Sequence, residues 1–161
     1  MIVFDPDGNR VGFLSSWLTG ADRMSFSISA EGSRLLLVSG TRALSEVRVA
    51  AIIRDVAGNP IGVGAPTYPI STSTTYTATW LDNIRIGLLE SQASNYVQPL
   101  VAMVGGDSRS LPTFTSGSQI IGSGQASTVF VLDSLGAMFQ FRGSSWVKVR
   151  EGVIALRNPG N

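Results

Sequence analysis

Met24, Phe26, Ile28 and Ala30 alternate with Ser25, Ser27 and Ser29, and this period of two recurs between clusters of turn-forming residues. Side chains of an extended chain point to opposite faces in turn. Alternation therefore predicts half-buried strands and disfavours helices, whose repeat is 3.6. Glu31-Gly32-Ser33 turns the chain into Arg34-Leu35-Leu36-Leu37-Val38, a run with the character of a strand buried on both faces. The two segments read as an antiparallel hairpin. From Glu46 to Arg54, Val47, Val49, Ala51 and Ile53 fall on one side and Glu46, Arg48 and Arg54 on the other. Thr74 to Trp80 sets Tyr76, Ala78 and Trp80 against Thr75, Thr77 and Thr79.

Turn chemistry divides the remainder. Asp55-Val56-Ala57-Gly58-Asn59-Pro60 and Asp133-Ser134-Leu135-Gly136 combine a side chain that caps its own backbone with a residue free to adopt positive φ. Residues 105–127 are rich in Gly, Ser and Thr and read as a linker or long loop with one short strand. Thr128–Leu132, Ala137–Phe141 and Trp146–Arg150 then form a small C-terminal β-meander over 128–161. At roughly 35 residues it is too small to fold alone and must pack on residues 1–104 or on another subunit. About ten to twelve short strands with closely spaced turns predict an all-β, antiparallel β-sandwich, immunoglobulin-like or jelly-roll-like. No sequence repeat is apparent, which argues against propellers, solenoids and β-helices.

Absent residues narrow the chemistry. The chain has no Cys and no His. Thiol nucleophiles, disulfides, zinc fingers, imidazole bases and Ser-His-Asp triads are excluded. Eleven arginines and the single lysine, Lys148, nearly balance eleven acids to a net charge of +1. So even a balance gives no reason to expect nucleic acid or an anionic membrane as partner. No apolar run approaches the roughly 18 residues of a membrane helix. The start Met-Ile-Val-Phe-Asp-Pro-Asp lacks a basic stretch followed by an apolar one, so no signal peptide is expected.

Each candidate site has a structural reading beside it. Asp5-Pro6-Asp7-Gly8-Asn9 spaces three oxygen ligands as a calcium loop does, yet its Gly stands fourth rather than sixth and Ser16 replaces the closing Glu. A hairpin turn is expected there. Asp55, Asp82, Glu90, Asp107, Asp133 and Glu151 sit in or beside turns and form no motif. Gly122-Ser123-Gly124-Gln125 fits neither phosphate-binding pattern. Thr75, Thr77 and Thr79 read as ordinary strand surface. The best contact surface lies in the C-terminal meander: with Val147 and Val149 inward, Trp146, Lys148 and Arg150 face outward, near Gln140 and Arg142. Trp and Arg are enriched at interfaces, so these five residues are the candidate interface. No catalytic, metal or cofactor-binding residue is assigned.

Three classes of function follow: a structural or assembly protein, a receptor- or carbohydrate-binding module stacking a ligand on Trp17, Trp80 or Trp146, and an enzyme built on two carboxylates such as a glycoside hydrolase. A mean hydropathy of +0.23 over 161 residues exceeds what a small monomer easily buries, which favours an assembly protein whose partners include its own copies. The run Val129-Phe130-Val131-Leu132-Asp133-Ser134-Leu135-Gly136, continuing through Phe139-Gln140-Phe141 to Ser144-Ser145-Trp146, resembles bacteriophage virion proteins. The similarity is to capsid decoration or cement proteins, head fibres and tail components. Residues Val47 to Val63 resemble strands of an immunoglobulin-like sandwich. The resemblance implies a non-enzymatic virion protein, assembled in the host cytoplasm, trimeric or otherwise symmetric and surrounded by other virion proteins. The N-terminal strand and residues 105–127 would be arms that order on assembly.

Overall fold

Alternating strands joined by tight turns build the same unit three times. The computed structural model describes residues 2–4, 8, 10–13, 20–41, 43–66, 69–92, 95–123 and 128–156. These residues form fifteen strands and no helix. β1 (Ile2–Phe4) and β2 (Arg10–Phe13) make an antiparallel hairpin. The first sheet takes β3 (Arg23–Ile28), β4 (Arg34–Gly40), β5 (Ser45–Arg54) and β6 (Pro60–Val63) in sequential order. The second takes β7 (Thr75–Trp80), β8 (Arg85–Ser91), β9 (Tyr96–Met103) and β10 (Ser108–Ser110), with β11 (Phe114–Thr115) also pairing β9. The third takes β12 (Gly117–Gly122), β13 (Val129–Asp133), β14 (Met138–Arg142) and β15 (Ser145–Arg150), again in sequence. Every pairing in the three sheets is antiparallel.

The fold is thus all-β and antiparallel. Among the described strands, none crosses between sheets in the Greek-key manner of immunoglobulin-like and jelly-roll-like sandwiches. Residues 105–127 do more than link: they hold β10, β11 and β12, whose Ser- and Gly-rich sequences pair through the backbone.

Two turns show how the chain reverses. The Asp55 carboxylate accepts from the N–H groups of Ala57 (2.9 Å) and Asn59 (2.8 Å), and that of Asp133 from Leu135 (2.9 Å) and Ala137 (2.8 Å). Gly58 and Gly136 sit at φ 87° and 85°, which a Cβ would penalise. The turn at Met103 keeps the same two backbone bonds, Met103 N–H to Asp107 O and Gly106 N–H to Met103 O, without an aspartate at its head.

The second sheet lies between the other two, and strand alternation divides its side chains between two cores. Ile86, Leu88, Trp80 and Ala102 meet Leu36, Val47 and Val49 of the first sheet. Leu81, Leu89, Val97 and Phe114 meet Ile120, Val129 and Val131 of the third. Gly87, between Ile86 and Leu88, lets the third sheet approach: a Cβ there would stand 3.2 Å from two carbons of Ile120. Ile86, Leu88, Leu89, Val47 and Val131 are essentially sealed from water, each contributing about 1.5–3 kcal/mol of burial.

A polar seam joins the first two sheets. Residues after β6 run back along β5, with Val47 N–H donating to Ser71 O and Ile70 N–H to Val47 O. The Ser45 hydroxyl accepts from Thr75 N–H at 2.8 Å, and the Ser71 hydroxyl donates to Glu90. Arg34 ties the first sheet to the turn after β7 through Asn83 O, 2.8 Å away.

Candidate functional site

A cleft of about 260 Å³ opens between the second and third sheets. Leu81, Val101, Leu111, Val129 and Phe141 give it apolar walls, and Arg85, Asp107 and Arg109 supply its charges. Arg85 is already committed. Its guanidinium holds Asp82 at 2.5–2.6 Å, while the other oxygen of Asp82 accepts the N–H groups of Ile84 (2.9 Å) and Arg85 (2.7 Å). Burial pushes the Asp82 carboxyl up, but these hydrogen bonds and the arginine charge together outweigh it and hold the group below the usual carboxylate range. Arg109 is exposed and, among the described residues, joins no ion pair. Such a cleft can grip a partner's apolar side chain beside a polar group. A second groove, between Pro69–Ile70 and Ala102–Gly106, is lined by no charged side chain among the described residues.

The five residues of the expected interface do not form one surface. Trp146 turns inward. Its ring stands edge-on to Phe114 (centroids 5.5 Å) and tilted against Phe141 (5.3 Å), and its indole N–H donates to Pro112 O at 2.9 Å. Val147 and Val149 are on the outer face, 39% and 38% exposed, so the inward and outward faces of β15 are the reverse of those expected. The reason is cross-strand pairing: Trp146 sits opposite Phe141, and aromatic pairs bury more area than valines. Gln140 and Arg142 hydrogen-bond each other at 2.7 Å on the face opposite Trp146. Lys148 pairs with Glu151, and Arg150 lies across a bulge from Met138.

The other candidates are taken up by structure. Trp80 is buried and donates to Ser27 O at 3.3 Å. Thr75 is buried in the seam, and Thr77 and Thr79 are half-buried on the side of β7 opposite Ala78 and Trp80. Asp55 and Asp133 cap their turns and Glu90 accepts from Ser71, while Asp107 lines the cleft. Gly122 passes so close to Leu81 that a Cβ would clash with its backbone. Trp17, Gly124, Gln125 and the Asp5–Asn9 turn apart from Gly8 lie outside the described residues. Among the described residues no three carboxylates converge as a metal site would require. The cleft itself was not legible in the sequence: its lining comes from β8, β9, β10, β13 and β14 and the segments flanking them.

Sequentially connected four-stranded sheets stacked face to face are the building units of the β-propeller class. Residues 4–159 match the family model of the lipoprotein LpqB β-propeller domain, and the chain belongs to that family. No curated protein matches it.

This membership corrects several expectations. The chain is not a bacteriophage virion protein, whether of capsid decoration, head fibre or tail, and its place is not the virion. The run from Val129 to Trp146 misled because any short antiparallel sheet with Asp-Gly turns has that texture. The argument against a propeller from the missing repeat also fails. The three first strands read RMSFSI, TYTATW and GSQIIG, so what repeats is topology and turn geometry, not residues.

Proposed function

We propose that this chain is a non-enzymatic binding module whose three sheets are three blades of a propeller, the third being the C-terminal meander enlarged by β12. The supporting observation is the cleft between the second and third sheets, apolar-walled with Arg109 and Asp107 beside it. Three carboxylates are engaged in structure: Asp55 and Asp82 accept backbone N–H groups, and Glu90 holds Ser71. The family is named for a lipoprotein's domain, which supports a setting at the cell envelope. Its work there is contact with other proteins, through the cleft and not through an exposed tryptophan.

The test places a photo-crosslinking residue at Arg109, and a control one at Leu135, which is exposed on a turn away from the cleft. In envelope fractions, Arg109 should capture a discrete protein that Leu135 does not. Equal capture at both positions would refute the cleft as the site. Turnover of ester, glycoside or phosphoester substrates, abolished by Asp107→Asn, would refute the non-enzymatic reading.

A further inference from the structure

The outer edge of the second sheet stands between the cleft and the second groove. β10 is bonded to β9 alone among the described strands, and all three of its residues are exposed. The ladder fixes which way its backbone points. Met103 N–H donates to Asp107 O at 3.1 Å, and Leu111 N–H to Pro99 O at 2.9 Å. Facing residues of an antiparallel pair alternate between those that exchange hydrogen bonds and those that do not. Arg109 and Val101, midway, are thus a bonded pair. Ser108 and Ser110, opposite Ala102 and Leu100, direct their N–H and C=O groups away from β9. Among the described residues no strand takes up that edge.

Side chains along this edge divide between the two hollows. Asp107, Arg109 and Leu111 share the face of Val101 and line the cleft, while Ser108 shares the face of Ala102 and lines the groove with Pro69 and Ile70. A strand laid along β10 continues that alternation, so its successive side chains enter the cleft and the groove by turns. The two hollows ask for different chemistry. At the cleft Asp107 and Arg109 stand two residues apart, and among the described residues neither joins an ion pair. An acid set opposite Arg109 and a base opposite Asp107 complement both charges. The groove, with no charged lining among the described residues, suits apolar side chains. A short edge bearing charges also deters indiscriminate pairing, which leaves it to a strand of matching pattern.

From this edge and its charges we infer that the partner of the cleft is an extended protein segment that adds to β10 as an antiparallel strand, with the order apolar, acidic, apolar, basic. Its two apolar residues face Ser108 and Ser110, exchange backbone hydrogen bonds with them and fill the groove. Its acid meets Arg109 and its base meets Asp107 on the cleft side. The inference rests on the cleft being a site of protein contact, and it adds the mode of contact and the pattern of the partner.

The probe is an acetylated and amidated peptide, Ser-Ile-Val-Glu-Val-Lys-Ser, titrated into the isotope-labelled chain and followed by amide NMR. The Ser108 and Ser110 N–H signals should shift, and their hydrogen exchange should slow at least about tenfold at saturation. The same peptide N-methylated at both valines lacks the donors for Ser108 O and Ser110 O and should bind at least about tenfold more weakly. Exchanging its Glu and Lys should weaken it as well, and the variant carrying Asp107→Arg with Arg109→Glu should prefer the exchanged peptide. Ser110→Pro removes one outward N–H without touching the ladder to β9 and should weaken binding as N-methylation does; the methylated peptide makes the same test on the unaltered chain. Binding indifferent to N-methylation, or one that shifts Val129 and Phe141 while Ser108 and Ser110 exchange as before, would overturn strand addition and leave the cleft a contact site. No binding of the peptide would also overturn it. Failure of the Arg109 crosslink to exceed the Leu135 control refutes the cleft itself, whatever the peptide does.

Discussion

Gly87 lets β8 lie close against Ile120 of the third sheet, and replacing it tests the stacking directly. A Cβ there would lie 2.8 Å from Leu81 Cδ2 and 3.2 Å from both Cγ1 and Cδ1 of Ile120. Carbon pairs are at ease near about 3.5–4.0 Å, so every one of these contacts is repulsive. In an open strand, exchange of glycine for a β-branched residue strengthens the strand by up to about 1 kcal/mol. Here valine adds two further methyl groups against Leu81 and Ile120, which are 7% and 1% exposed and have nowhere to retreat. Overpacking wins. Gly87→Val should destabilise the fold by about 1–3 kcal/mol. At about 2–4 °C per kcal/mol for a chain of this size, the melting midpoint should fall by roughly 2–12 °C. Urea unfolding of Gly87→Val, Ile120→Ala and the double variant closes a cycle across the two sheets in which the pair should recover about 0.5–3 kcal/mol relative to additivity. An unchanged or raised stability in Gly87→Val, or strict additivity with Ile120→Ala, would show that the sheets do not meet there.

Asp82 gives the pH dependence. Its folded carboxyl titrates below its unfolded value, so its contribution to stability is full above roughly pH 4 and is lost as pH falls through the folded value. The urea midpoint should drop between pH 5 and pH 3, and Asp82→Asn should flatten that slope; a parallel slope in the variant would assign acid sensitivity to other groups. Trp146→Phe keeps a ring against Phe114 and Phe141 but strands Pro112 O, and should cost about 1 kcal/mol by thermal melting. Trp146→Ala should cost more, about 2–4 kcal/mol, for the emptied space. A neutral Trp146→Ala would return that residue to the solvent-facing role first expected of it.

Much of the secondary structure could be read directly. Met24 to Ile28, Glu46 to Arg54 and Thr74 to Trp80 are strands as their alternation predicts, although Met24, Phe26, Ile28, Ile53 and Tyr76 of the apolar sets are exposed, and Asp55 and Asp133 announce their turns. Residues 108–122 could not be read, because Ser108-Arg109-Ser110 and Gly117-Ser118-Gln119 carry no apolar rhythm and are strands only through backbone pairing with β9 and β13. The Asp-x-x-Gly spacing at 5–8, 55–58 and 133–136 is a visible trace of repetition. At the turn headed by Met103 the same backbone bonds are made without the aspartate, which hid the pattern.

Alternation dictates that side chains of β15 fall into two sets, and it does so locally, from the pleat alone. Which set turns inward was decided by what stands opposite: Phe141 across the strand pair and Phe114 from the neighbouring sheet drew Trp146 into the core and left Val147 outside. The same holds for the whole chain. Strand character, turn positions and the exclusion of thiol and imidazole chemistry are properties of residues and their near neighbours, so the one-dimensional string carries them. Stacking order and the cleft are properties of faces brought together from distant segments, and only the three-dimensional packing assigns each face its partner.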